Sequence, residues 1–253
     1  MKDTLVNQAA LNNAIWCDTV CRTHGSPGEF RGGVWVNSGP VPRFYPNAVT
    51  LGGLERAGEH QSFIERLLLT DLPRSWSVKD SFQTLSLASN DFTPLFTAQW
   101  ISCTIAPAEP SDHFIGIAWQ AVTTSGDLAE WHGAWGGNDN HTGIFLPALL
   151  DDENIHIIAA RREGRIVAGA IANFAAGVAG ISNVFVPEDD GQMYRRGCVA
   201  AVSRRFPGVP IVGYEHSYDL TEMLEIGFDE IGPMTVWLRL LGNVTSRDED
   251  GHI

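Results

Sequence analysis

Cysteine, lysine and long apolar runs are all scarce in this sequence, and each shortage excludes something. Four cysteines, Cys17, Cys21, Cys103 and Cys198, are scattered through 253 residues, too sparsely for a disulfide framework. Cys17, Cys21 and His24 can share a helix face, but no second ligand pair lies nearby in sequence, so a core reading of the thiols outweighs a metal site. Only Lys2 and Lys79 are lysines, the other fifteen basic residues being arginines; no function is read from that bias. Basic residues number 17 against 30 acidic, for a net charge of −13, which argues against a nucleic-acid partner. No apolar run approaches the roughly 20 residues of a membrane-spanning helix. The stretch Met1–Val20 lacks the apolar core and cleavage site of a secretory signal. The expectation is a cytoplasmic protein without a membrane partner.

Apolar residues make up 44% of the chain, enough for a substantial core at this length. Residues 4–23 place Leu5, Ala9, Asn12, Trp16 and Val20 near one face of an amphipathic helix. Strands are expected at 33–36 and 47–51, a helix at 59–70, and strands at 76–82 and 95–105. Ala106–Asp112, APAEPSD, is the best candidate linker. Beyond it come a strand at 114–122, a helix from Ser125 carrying Trp131 and Trp135, and a short helix at 145–150. Strands at 155–161, 165–174 and 178–186 follow, the first two joined at Glu163-Gly164. Then come a helix at 192–206, a strand at 209–213, a helix capped by Asp219 with Glu222, and a strand at 234–241. This order predicts a mixed α/β sheet divided at the linker into residues 1–110 and 111–242, with a polar tail at 243–253.

The most informative stretch is Ile181–Val202, ISNVFVPEDDGQMYRRGCVAAV. An apolar strand stops at Pro187, an acidic loop follows, and a helix begins. Asp189 with Gln192 reads as a capping box. A strand, loop and helix N-terminus in this order present free backbone amides to an anion. Asn183, an amide within an apolar strand, calls for a partner on a neighbouring strand or on a ligand.

Together with the hairpin ARREGRIVAGAIANF (160–174) and the terminal MLEIGFDEIGPMTVWLR (223–239), this stretch resembles the GNAT superfamily of acyl-CoA-dependent N-acetyltransferases. The resemblance covers residues 114–241 and leaves room for the first half as a degenerate second copy. It implies a bulged central strand, a slot between that strand and the next, acetyl-CoA as co-substrate, and a small-molecule amine as acceptor, in a chain that can also form a homodimer. Phe185 and Val186 would line the thioester and pantetheine. Arg195, Arg196, Gly197 and Ala201 would hold the phosphates. Glu215 or Tyr214 would handle the proton. The sequence also departs from the family: Val199 stands where the pattern has glycine, Met223 where a tyrosine is common, and Glu188, Asp189 and Asp190 crowd the helix start. These departures keep open a second expectation, an inactive GNAT-like protein serving as a CoA sensor or interaction module. A third assigns substrate binding to the first half through Trp35, Phe44, Tyr45 and Trp76.

Overall fold

The computed structural model describes residues 2–70, 72–73, 75–104, 116–136 and 143–240. Eleven strands form one sheet in the order β1-β2-β3-β4-β11-β5-β10-β9-β8-β7-β6. The strands are β1 (Glu29–Arg31), β2 (Val34–Val36), β3 (Ala48–Thr50), β4 (Ser75–Asp80), β5 (Phe92–Cys103), β6 (Ile117–Ala121), β7 (Ile155–Arg162), β8 (Arg165–Ala175), β9 (Val178–Phe185), β10 (Ile211–Glu215) and β11 (Asp229–Leu240). The helices are α1 (Lys2–Thr23), α2 (Ala57–Leu67), α3 (Ser125–Gly136), α4 (Gly191–Arg205) and α5 (Ser217–Glu225). Breakers set most of these limits, so the expected elements fall within a few residues of the observed ones. The short β1 is the one strand that the sequence reading omits. Glu163 and Gly164 both take positive φ, as a tight two-residue hairpin turn requires.

Alternation along the strands assigns the layers. Ile101, Ile181 and Ile211 face α4 and α5 through Cys198, Val202 and Met223. Trp100, Val178 and Val212 face α1 through Val6 and Ala10. Helix α3 shares the α1 side, with Trp131 against Ile157 and Ile171. Helix α2 packs Ile64 and Leu67 on Trp76 and Val78, from the face opposite α1. Trp35 and Trp76 are therefore core residues, each at most 1% exposed. Trp35 gives its indole N–H to buried Asp18. Cys17 and Cys21 are buried as well, their thiols pushed up to about 11 and about 12 by desolvation.

Each half follows one plan. A meander leads to a strand, a helix crosses over, and a parallel strand returns with only two paired residues: Ala48–Val78 and Val49–Lys79 in the first half, Ala179–Ile211 and Gly180–Val212 in the second. The final strands then trade places. First-half β5 lies between β10 and β11, and second-half β11 lies between β4 and β5. The expected division into 1–110 and 111–242 thus has no counterpart as a break in the sheet, because strands from both sides of it interleave. The linker at 106–112 and the polar tail lie outside the described residues.

Both expected helix caps are absent. Helix α4 begins after Asp190, in a left-handed conformation and without a side-chain cap, and α5 begins after His216, also uncapped by a side chain. Asp219 instead pairs with Arg195 of α4, and this tie between helices replaces the local cap.

Candidate functional site

Strands β9 and β10 pair only at Ala179–Ile211 and Gly180–Val212 and then part. Beside the point of divergence, α1 is tied to β8 and β9. Asn12 Nδ2 donates to the carbonyls of Asn173, Ala175 and Val178 at 3.1, 3.3 and 3.2 Å, and Asn173 Nδ2 returns a 3.0 Å bond to Asn12 Oδ1. Gly180 sits under this amide pair. A Cβ there would stand 2.2 Å from Asn12 Oδ1 and 2.4 Å from Asn173 Oδ1, so no larger residue fits the apex.

Beyond the apex, β9 bulges. Its register with β8 slips between Ile171–Ser182 and Gly169–Phe185, and Asn183 takes φ of 52°. Two residues there oppose one, and the strand bends. The bulge is where the unexpected amide of the apolar run belongs, since asparagine tolerates the left-handed region better than its β-branched neighbours. Asn183 Nδ2 bonds Ser182 Oγ at 3.0 Å.

The bulge also moves the lining. An extra residue reverses the faces of everything after it. Val184 turns toward the α4 core, and Phe185 turns to the other side, edge-on to Trp131 at 5.2 Å. Val186 packs near Ala160, Ala168 and Tyr194. Phe185 and Val186 are therefore held in packing, and the slot is lined by Ile181–Val184 instead. The opposite wall is Val212–Glu215. Helix α1 adds Asn12, Asn13, Trp16 and Cys17, and Tyr45, Lys79, Trp100 and Trp135 close a cavity of about 310 Å³.

Glu215 and Tyr214, both expected at the chemistry, are in this wall. Burial, reinforced by Asp219 and opposed by Arg195, pushes the Glu215 carboxyl up to about 7. Tyr214 stands edge-on to Trp100 with centroids 5.5 Å apart, and the Lys79 ammonium lies 4.3 Å above its ring. Phe44 and Tyr45 do reach the cavity. His216 is exposed, its ring 5.0 Å from Phe96, and Tyr218 is 70% exposed.

The residues expected to hold phosphates are elsewhere. Helix α4 starts at Gly191, so Arg195, Arg196, Gly197 and Ala201 lie one to three turns inside it, beyond the amides that a helix start leaves free. Arg195 is buried and paired with Asp219. Arg196 reaches the Glu225 carbonyl at 3.3 Å. Gly197 packs under Trp119, where a Cβ would lie 2.0 Å from the indole. Ala201 faces a groove with Trp119 and His156. The true N-terminus of α4 opens on Asp190, Glu222 and Glu225, next to exposed Glu188 and Asp189.

A parted strand pair, a bulge on the parting edge and a helix crossover form one recognisable geometry. A GCN5-related N-acetyltransferase from Kribbella flavida superposes with a TM-score of 0.59 and 12% identity over 96% of this chain and 97% of its own. A conserved protein of unknown function from Staphylococcus epidermidis gives 0.56 and 12% over 81% and 84%. A protein from Novosphingobium aromaticivorans assigned to the GNAT family gives 0.50 and 16% over 91% and 98%. The chain has the GNAT fold. At these identities the likeness speaks to fold alone, but it spans nearly the whole chain rather than the second half. No family model and no curated protein matches the sequence.

Acyl-CoA would fit this slot at one end and not at the other. The β9 edge from Ile181 to Phe185 has no β10 partner, so its backbone groups suit an amide-bearing arm lying in the slot. The α4 start does not suit a diphosphate: carboxylates surround it, and the two nearest arginines are engaged elsewhere. Like charge at a helix N-terminus opposes the anion that the dipole would attract. Among the described residues no helix is long and apolar enough to cross a membrane, and no cluster of three metal-ligating side chains occurs.

Proposed function

We propose that the protein transfers an acyl group from an acyl thioester, acetyl-CoA in the simplest case, to a small amine. The observation that carries this reading is Glu215: a carboxyl titrating at about 7 in the wall of the slot where β9 and β10 part. A base with that pKa is well matched to drawing a proton from an ammonium or a tetrahedral adduct near neutrality. Acyl-CoA, when bound, would supply an activated carbonyl, with Ile181–Val184 holding its arm. An unpaired amide of that edge is a ready donor to a developing oxyanion. Tyr214, adjacent on β10, is the candidate proton donor to a departing thiolate. The cavity holds the volume of about ten water molecules, which suits a small acceptor rather than a protein tail.

The shared plan of the halves supports reading the first as a diverged copy whose slot has closed. Thr50 Oγ1 accepts from Ser81 N at 2.8 Å, just past the Val49–Lys79 pair, so a side chain ties β3 to β4 at the step where β9 and β10 stand apart.

Calorimetry with acetyl-CoA and a thiol-release assay over a panel of amines test the proposal. Binding together with amine-dependent thiol release, lost in Glu215→Gln, is the expected result. No detectable acetyl-CoA binding would overturn it in favour of an inactive GNAT-fold protein.

A further inference from the structure

The slot holds a cation that acyl transfer as proposed does not use. Lys79 is 4% exposed. Its ammonium has three donors, of which one reaches Asn13 Oδ1 at 2.7 Å while its charge rests over the Tyr214 ring. No carboxylate among the described residues pairs with it. Burying an unpaired charge is expensive, and a threonine or leucine on this strand would satisfy the fold without that expense. Lys79 lines the slot and also a neighbouring cavity of about 620 Å³ that includes Arg43 and, among the described residues, no carboxylate. In a protein with a net charge of −13, an enclosed ammonium without a carboxylate partner among the described residues favours a negatively charged ligand.

We propose that Lys79 binds a carboxylate on the acceptor, so that the substrate is an amine that also carries a carboxyl group, an amino acid in the broad sense. This rests on the acyl-transfer reading for the role of the amine. Glu215 offers the negative wall for that amine, and Lys79, over the ring of the preceding residue, offers the positive one. A single ammonium matches one negative charge, whereas a phosphate group brings close to two into a slot that already contains Glu215. Trp16, Trp100 and Trp135 around the cavity accommodate an apolar body between the two ends. Lys79 is a binding residue here, with no bond made or broken at it.

The test measures binding without any acyl donor, by quenching of the tryptophans that line the slot. The probes are two pairs: phenylalanine with phenylalaninamide, and 4-aminobutanoate with butylamine. At least one acid should bind saturably and more tightly than its neutral partner. Lys79→Met should weaken that acid about tenfold or more, the scale of a lost charge-assisted hydrogen bond, and Lys79→Arg should restore most of the affinity. Removing an unpaired buried charge should not lower the melting temperature of Lys79→Met, so loss of binding can be separated from loss of fold. Equal binding of acid and neutral partner, no binding of either acid, or unchanged affinity in Lys79→Met overturns the inference. Acid binding without acyl transfer to any probe would instead sink the transfer reading alone. Acetylation of butylamine with no acid preference would sink this inference alone.

Discussion

Replacing Glu215 by glutamine should stabilise the protein while disabling it, and the two effects should share one pH dependence. The wild-type carboxyl titrates at about 7 in the fold, against 4.5 when unperturbed, chiefly because it is desolvated. Asp219 adds to the shift, while Arg195 opposes it. Because the folded pKa lies above the unfolded one, the folded state binds the proton more tightly. The carboxyl therefore costs nothing below pH 4.5, costs progressively more as pH rises toward 7, and reaches a plateau above that. At 1.36 kcal/mol per unit the plateau is about 3 kcal/mol. Glutamine keeps the shape and cannot ionise, so the variant should gain nothing at pH 4.5 and up to that amount at pH 8. For a chain of this size that corresponds to roughly 6–12 °C in Tm. Melting curves from pH 4.5 to 8.5 read it directly. Wild-type kcat/KM should rise with pH through about 7, and the glutamine variant should lose roughly 10²–10⁴ of it as a removed general base. A Tm difference that stays flat across the range, or a variant retaining the wild-type pH profile, would refute the assignment of Glu215 as the buried base.

Gly180→Ala should destabilise by about 1–3 kcal/mol, the range for overpacking, since its Cβ meets the Asn12–Asn173 amide pair; thermal melting checks it, and an unchanged Tm would mean that the apex can spread. Gly197→Ala should destabilise by a similar amount through Trp119 while leaving the salt dependence of acetyl-CoA binding alone; the reverse pattern would restore Gly197 to a phosphate site. Glu188→Gln with Asp190→Asn should tighten acetyl-CoA by several-fold at low ionic strength, on the scale of about 1 kcal/mol for a charge at a helix start, and the gain should shrink with salt. No gain by calorimetry would show that the carboxylates point away from the bound phosphates. Cleavage at residues 106–112 should leave the two pieces associated in gel filtration, because β5 is clamped between β10 and β11; release of two folded halves would contradict the strand exchange.

Most elements were legible because local chemistry marks their ends: Pro27 and Gly28 after α1, Pro187 after β9, Pro207-Gly208 after α4. The fold family was legible for the same reason, through a junction and a hairpin that are contiguous in sequence. The exchange of β5 and β11 was not, since pairing partners some 130 residues apart, such as Gln99 and Pro233, leave no local trace. Site residues divided along the same line. Tyr214 and Glu215 follow directly from the end of a recognisable strand, and the structure puts them in the slot. A single inserted residue turns Phe185 and Val186 into packing contacts, and Asn183 in the apolar run is the signal for it. The arginine-glycine match at Arg196-Gly197 lies inside α4, whereas the helix, and hence its free amides, begins at Gly191.

The contributions of the first half to the slot were the least visible, and they change what the site can select. Asn12, Asn13, Trp16 and Lys79 come from a helix and a strand more than 90 residues before β9, and each reads locally as ordinary helix or strand sequence. Only the rarity of lysine hinted at Lys79, and rarity alone does not distinguish a functional charge from compositional bias. In the fold the distinction is physical. Lys79 is enclosed, with one hydrogen bond and no counter-charge among the described residues. The first half, where Thr50 ties β3 to β4, thus supplies a wall of the cavity between β9 and β10. That wall and the strand exchange join the two halves in a single sheet, and on the proposed reading they form one acceptor-binding unit.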